Sequence, residues 1–175
     1  MLAQLIHTPR LRLVAATPTS LQTELDQPNG LGEYLRAALP ADWPPDYHDR
    51  AAVELQLQLM LDGGAAAAGW FSWYVLYGSV APELVGCGGY GGPPDAAGNV
   101  EVSCSVTAGW RRQGFATEVL RALLARVSAH PPVQRIVARP APDCPASLGV
   151  LRRCGFQLIE PDTQPDQRLF AYSEH

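Results

Sequence analysis

Residues 99–130 read as one continuous strand, turn and helix, and that unit limits the folds open to the chain more than any other feature. "NVEVSCSV" (99–106) alternates with the period of a half-buried strand. "ATEVLRALLARVSAH" (116–130) then sets Val119, Leu120, Leu123, Leu124 and Val127 on one helical face. Between them lies "WRRQGFATEV" (110–119), a turn built around Gly114. A helix that leaves a strand through a glycine turn presents unbonded backbone N–H groups. With the helix dipole, they suit an anion, above all a phosphate. Gly114 permits close approach, Ala116 keeps the next position small, and Arg111 and Arg112 bring charge that pairs with phosphate oxygens. Taken alone, the same turn equally describes a plain connector with solvated arginines.

The rest of the chain supplies a sheet around that unit. "RLRLVAA" alternates as a strand, and "TPTSLQTELDQ" predicts a helix with Thr17 as N-cap and Pro18 at its first position. "LGEYLRAAL" predicts a short second helix ended by Pro40, and "DRAAVELQLQLML" a third, capped by Asp49 and stopped at Gly63-Gly64. "GWFSWYVLYG", "LVGCGGYGG" and "NVEVSCSV" are separated by short Gly and Pro turns, which predicts an antiparallel meander. "QRIVAR" is a further strand, "PASLGVLRRCGF" a helix closed by Gly155, and "FQLIE" and "RLFAYSE" the final strands. The expected architecture is a single domain over 1–175, an α/β fold with one mixed, mostly antiparallel sheet and helices on both faces.

Composition excludes several functions. At 47% apolar and 17% charged residues over 175 positions, the chain is expected to be globular and to bury a substantial core. A net charge of -4 leaves no basic footprint for nucleic acid and only weakly favours a cationic substrate. All 13 basic residues are arginine, so Schiff-base chemistry and a P-loop lysine are excluded. Cys87, Cys104, Cys144 and Cys154 stand at no metal-ligand spacing, so no metal is expected. "MLAQLIHTPRLRL" lacks the pattern of a signal peptide, and no apolar run reaches membrane-spanning length. The expected location is cytoplasmic, with reduced thiols and no membrane partner.

Four segments, in order, resemble the GCN5-related N-acetyltransferase (GNAT) superfamily, and within it the ribosomal-protein N-terminal acetyltransferases. Arg111-Arg112-Gln113-Gly114-Phe115-Ala116 is similar to its [RQ]-x-x-G-x-[GA] pyrophosphate loop. "TPRLRL" resembles the subgroup's opening strand, "VEVSCSVTAGWRRQGFATEVLRALL" its strand, loop and helix, and "CPASLGVLRRCGF" its closing N-x-x-S-x-x-V-L-E-K-x-G-F segment. The resemblance implies a GNAT-like acyl-CoA N-acyltransferase fold and transfer of acetyl from acetyl-CoA to a primary amine. By carry-over, the strand before the loop splays from its neighbour to admit the pantetheine arm. Backbone groups near Cys104, Ser105 and Val106 would bond that arm, and the N–H groups of Arg111 through Thr117 would hold the pyrophosphate.

The same resemblance nominates catalytic groups. Glu101 falls where the subgroup carries the glutamate of A-E-[IV]-G-Y and is the expected base, since a typical amine is mostly protonated at pH 7. The alternative is a glutamate paired across the sheet. Many relatives use a tyrosine four residues before the glycine of the closing G-F. Here that position is Leu151, so Ser147 is the expected donor to the leaving sulfur, unless it only caps its helix. Cys144 replaces the pattern's asparagine beside the cofactor, and Arg152-Arg153 replaces its E-K pair. "ADWPPDYHDR" is expected to shape the acceptor pocket through Trp43 and Tyr47, while Tyr90 could face either the core or the cleft. His7, His130 and His175 have no partners at catalytic spacing. The acceptor is a protein N-terminus, a polyamine or an antibiotic, and the enzyme a monomer or homodimer. A non-catalytic acyl-CoA-binding sensor is the alternative, favoured by Cys144.

Overall fold

The computed structural model describes residues 4–27, 29–140, 144–159 and 168–173. In chain order its elements are β1 (Leu5–His7), β2 (Leu11–Ala15), α1 (Pro18–Asp26), α2 (Gly30–Leu35), α3 (Arg50–Gly63), β3 (Ser72–Tyr77), β4 (Glu83–Tyr90) and β5 (Asn99–Val106). Then come α4 (Phe115–Ser128), β6 (Arg135–Ala138), α5 (Pro145–Arg153), β7 (Phe156–Leu158) and β8 (Phe170–Tyr172). One eight-stranded sheet runs β1-β2-β3-β4-β5-β6-β8-β7, antiparallel throughout except where β5 meets β6. The expected α/β fold, one mixed and mostly antiparallel sheet with helices, is therefore present.

Local signals place most elements. Thr17 and Ser20 form a reciprocal capping box with Pro18 in the first turn of α1, and Asp49 caps α3 through Ala52 N–H. The five apolar residues of α4 are all buried. Two details differ from the sequence reading. A short strand, β1, precedes the one read over 10–16 and pairs with it as a hairpin, and α2 ends at Leu35, where Arg36 turns left-handed, well before Pro40. The ends of "FQLIE" and "RLFAYSE", Glu160 and Glu174, lie outside the described residues, as does His175.

Strand alternation assigns side chains to the two faces. Trp73, Tyr90 and Cys104 face α4, where the Tyr90 hydroxyl donates to the Leu123 carbonyl and the Arg126 guanidinium lies over Trp70, Trp73 and Tyr90. α5 packs beside α4, with the Cys154 thiol against the Thr117 carbonyl. Tyr74 faces the other way, toward α1. The glycines of β4 are steric necessities: a Cβ on Gly86 would lie 2.3 Å from the Ser105 carbonyl oxygen.

On the α1 face, a buried polar hub replaces apolar packing. The Glu24 carboxylate accepts from Trp43 Nε1 (2.9 Å), Tyr74 Oη (2.9 Å) and His48 Nε2 (3.1 Å). His48 is 2% exposed and Tyr74 is fully buried. Burial alone would depress the His48 pKa, but the neighbouring Cys87 and Glu24 outweigh it and raise it from 6.5 to about 10. The imidazolium is thus the counterion that lets a carboxylate sit inside the domain. Because the folded-state pKa is the higher one, this stability is complete below pH 6.5 and is lost as pH rises through about 10. His48→Gln should cost about 3–5 kcal/mol at pH 6. Urea unfolding of both proteins should show that deficit shrinking between pH 6.5 and 10; a deficit constant with pH would remove the ion pair from the account.

Candidate functional site

The parallel contact of β5 with β6 covers only Asn99↔Arg135, Val100↔Ile136 and Glu101↔Val137. Beyond Glu101 the two strands part, while β5 stays in unbroken register with β4 as far as Val106. The direction of the β5 backbone follows from two bonds: Gly91 N–H donates to the Glu101 carbonyl, and Thr107 N–H donates to the Val85 carbonyl. Odd-numbered residues therefore turn their polar groups to β4. Val102, Cys104 and Val106 turn theirs into the gap. Ser105 directs its backbone at β4, so Cys104 and Val106 are the two expected contacts that open on the gap. The Val106 carbonyl already accepts from Arg111 Nε, 2.9 Å away, leaving its N–H.

At the far end of β5 the chain makes the predicted turn. Arg112 (φ 66°) and Gly114 (φ 81°) are both left-handed, and α4 starts at Phe115 with no side chain capping it. Glu118 N–H is the first to find a helix acceptor, the Gly114 carbonyl. The N–H groups of Arg112, Gln113, Gly114, Phe115, Ala116 and Thr117 have no acceptor among the described residues. That of Arg111 does, in the Ala108 carbonyl. The cradle is thus one residue shorter than the sequence implied, and it is the arrangement that accepts a diphosphate. Acetyl-CoA fits these residues.

Phe115 anchors the turn rather than lining it, being 2% exposed against Tyr77 and Trp110. Over its ring, 4.6 Å from the centroid, lies the Arg10 guanidinium. Arg10 also donates to Glu118 Oε2 (2.7 Å) and to the Gln113 carbonyl (2.9 Å), and Thr8 Oγ1 donates to Glu118 Oε1 (2.5 Å). Partial burial opposes ionisation of Glu118, but Thr8 and Arg10 hold its carboxyl below the usual range. Sequence reasoning used "TPRLRL" as a family signature and gave Arg10 no task. A cation two residues after a threonine, with an acid in the first turn of α4, was the available signal.

The remaining candidates fall into three places. Glu101 stands where β5 and β6 part and accepts a hydrogen bond from Arg139 across the gap. At the start of α5, Ser147 Oγ donates to Cys144 Sγ at 3.0 Å. That hydroxyl, the surrounding N–H groups and the nearby Arg111 charge outweigh partial burial and lower the Cys144 pKa. Cys104 lies under α4 with its thiol against the Ala116 carbonyl, and burial pushes it up to about 12. Of the acceptor candidates, Trp43 is taken up by the Glu24 hub, and Tyr47 is 77% exposed. Tyr90 is 6% exposed with its hydroxyl bonded inside the core, so it packs rather than lines the cleft. Asp46 pairs with Arg111 (2.7 Å) and Asp42 accepts from Gly109 N–H (3.2 Å), tying the 40–49 loop to the cradle. No cluster able to hold a metal occurs among the described residues, and no helix among them is long and apolar enough to cross a membrane.

Comparison with known proteins gives the family and the fold. A family model described as an acetyltransferase (GNAT) domain matches residues 10–157. An uncharacterized N-acetyltransferase, YjdG, of Bacillus subtilis (strain 168) is 27% identical over 154 residues, which is 88% of this chain and 90% of that protein. Among solved structures, a GNAT-family acetyltransferase from Bordetella pertussis superposes with a TM-score of 0.66 at 22% identity, covering 97% of this chain and 99% of that one. The ribosomal L7/L12 N-acetyltransferase RimL in complex with coenzyme A gives 0.63 at 20%, covering 96% and 97%. MccE, a microcin C7 self-immunity acetyltransferase solved with acetyl-CoA and AMP, gives 0.60 at 13%, covering 94% and 92%.

The cradle makes a direct prediction. A Cβ on Gly114 would meet only the Arg10 guanidinium, at 3.4 Å, so the protein has room for it. The left-handed φ does not suit it, however, and costs on the order of 1–2 kcal/mol. Gly114→Val should therefore keep the circular dichroism of the fold and lose CoA binding. Coenzyme A at 100 times its Kd should stabilise the wild type by about 2.7 kcal/mol and the variant by nothing measurable. An unchanged thermal shift would remove the turn from the cofactor site.

Proposed function

Because the chain belongs to the GNAT family of acetyl-CoA-dependent N-acetyltransferases, we propose that it acetylates a primary amine by direct attack in a ternary complex, with Glu101 as base. The observation that carries this reading is the coincidence, along one strand, of the unbonded N–H row that follows β5 and the β5/β6 gap headed by Glu101. Acetyl-CoA supplies the activated acyl group, which passes to the amine nitrogen with loss of the thiol.

Each residue then has a stated task. The N–H groups of residues 112–117 hold the pyrophosphate, and Arg112 adds charge from the surface. The N–H groups of Cys104 and Val106 face the pantetheine arm in the gap. A β5 N–H near Val102 stabilises the developing oxyanion. Glu101 takes the ammonium proton so that the amine attacks in its neutral form. Ser147 and Cys144 stand on the thiol side, where the Ser147 hydroxyl, turning from Cys144 Sγ, serves as donor to the leaving sulfur. Trp43 and Tyr47 border the acceptor, Trp43 by fixing the 40–49 loop and Tyr47 at its rim. The protein works in the cytoplasm, as a monomer or homodimer. Its similarity to RimL, an N-terminal acetyltransferase of a ribosomal protein, favours a protein N-terminus as acceptor over a polyamine or antibiotic.

The test is release of free thiol from acetyl-CoA with a panel of amines. Glu101→Gln should lower kcat by about 10²–10⁴-fold while coenzyme A binding persists. Equal turnover by the two proteins would exclude Glu101 as the base. Tight cofactor binding with no turnover of any amine would favour the sensor instead.

A further inference from the structure

The N–H groups from Arg112 to Thr117 have no acceptor among the described residues, yet an acid, Glu118, stands in the first turn of the same helix. A first-turn carboxylate can reach back three residues and bond an open N–H, as the acid of a capping box does. For Glu118 that N–H would be the one of Phe115. Its carboxylate is turned instead to the first hairpin. There Oε1 accepts from Thr8 Oγ1 (2.5 Å) and Arg10 N–H (3.0 Å), and Oε2 accepts from Arg10 Nε (2.7 Å). All three donors come from residues 8–10, and the Glu118 side chain is 14% exposed among them. An anion that the helix N-terminus would itself attract is thereby held away from it.

The same guanidinium acts on the turn. Arg10 Nη1 donates to the Gln113 carbonyl (2.9 Å). The C=O and N–H of a trans peptide point opposite ways, so the Gly114 N–H is directed away from Arg10. Stacking on the Phe115 ring, 4.6 Å from its centroid, fixes the guanidinium between acid and turn. Arg10 therefore occupies the two acceptors that adjoin the row in sequence, the Gln113 carbonyl and the Glu118 carboxylate.

Resting on the cofactor site of the acetyl-transfer reading, we propose that Thr8 and Arg10 are positioning residues for the diphosphate. By keeping the Glu118 carboxylate off the N–H row, they leave that row open to the phosphates. Without Arg10, Glu118 competes for the same N–H groups and repels the incoming charge. Without Glu118, no competitor is left. A pair that only braced the turn would respond to either loss alike.

Calorimetric titration of coenzyme A separates the two roles. Arg10→Gln should bind it about tenfold more weakly than the wild type, and Glu118→Ala about as tightly as the wild type. Arg10→Gln/Glu118→Ala should recover at least about threefold over Arg10→Gln alone. Should Arg10→Gln fail to fold, Thr8→Val takes its place: it frees one carboxylate oxygen in part, and its smaller loss should likewise vanish when Glu118→Ala is added. Equal losses in Arg10→Gln and Glu118→Ala, a double variant no better than Arg10→Gln, or full affinity in Arg10→Gln overturns the proposal. Failure of the wild type to bind coenzyme A overturns it together with the turn as cofactor site. If the expected pattern holds and no amine releases thiol from acetyl-CoA, the proposal stands and the acetyl-transfer reading fails alone.

Discussion

The parallel contact between β5 and β6 lasts three residue pairs, and the brevity of that contact organises the molecule. Had the two strands stayed in register to Val106, the backbone of Val102, Cys104 and Val106 would be consumed by a ladder. Instead β5 is held on one side only, by β4, whose glycines let it approach closely. A strand with one free edge inside a sheet is a liability unless something occupies it. In the acetyl-transfer reading the occupant is the cofactor, and the gap leads from the turn before α4 at one end to Glu101 at the other.

Two polar clusters tie together elements distant in sequence, and they differ in kind. Around the cradle, Thr8 and Arg10 reach from the first hairpin to Glu118, the Gln113 carbonyl and the Phe115 ring, so the turn is shaped by groups distant in sequence. Arg10 is 44% exposed, which limits the ion pair itself to a fraction of a kcal/mol. Its value lies in geometry, because three contacts define the path of one turn. The Glu24 hub is the opposite case: it is buried, its donors fill the carboxylate, and removing one member strands a charge in the core. That hub anchors Trp43 and His48 of the 40–49 loop.

Periodicity and capping made the helices and central strands legible, because α1, α3 and α4 carry their stop and start signals locally. The cradle was legible for the same reason, since Gly114 and the start of α4 are neighbours in sequence. What could not be read were partnerships made by the fold. Glu24 looks like a solvent-facing residue of an amphipathic helix until β3 brings Tyr74 beneath it. Arg139 and Glu101 are 38 residues apart and meet only because β5 and β6 run parallel. Tyr90 was ambiguous because a strand residue after glycines has no local signal for its face. The register with Val102 supplies that signal and sends it to the core.

Arg111 shows how the cradle and the acceptor side are joined without a rigid link. It bonds the Val106 carbonyl, pairs with Asp46 of the 40–49 loop and lies near Cys144 at the start of α5. The partners of its pair with Asp46 are 47% and 67% exposed, so water screens it and it contributes about 0–1 kcal/mol at most. A phosphate offers the same guanidinium more charge and a bidentate geometry. In the acetyl-transfer reading, cofactor binding therefore competes for Arg111 on favourable terms, and the contact it displaces is one that holds the 40–49 loop. The backbone N–H row supplies the fixed part of the proposed site, and the arginine is the adjustable part, shared between the end of β5 and the 40–49 loop.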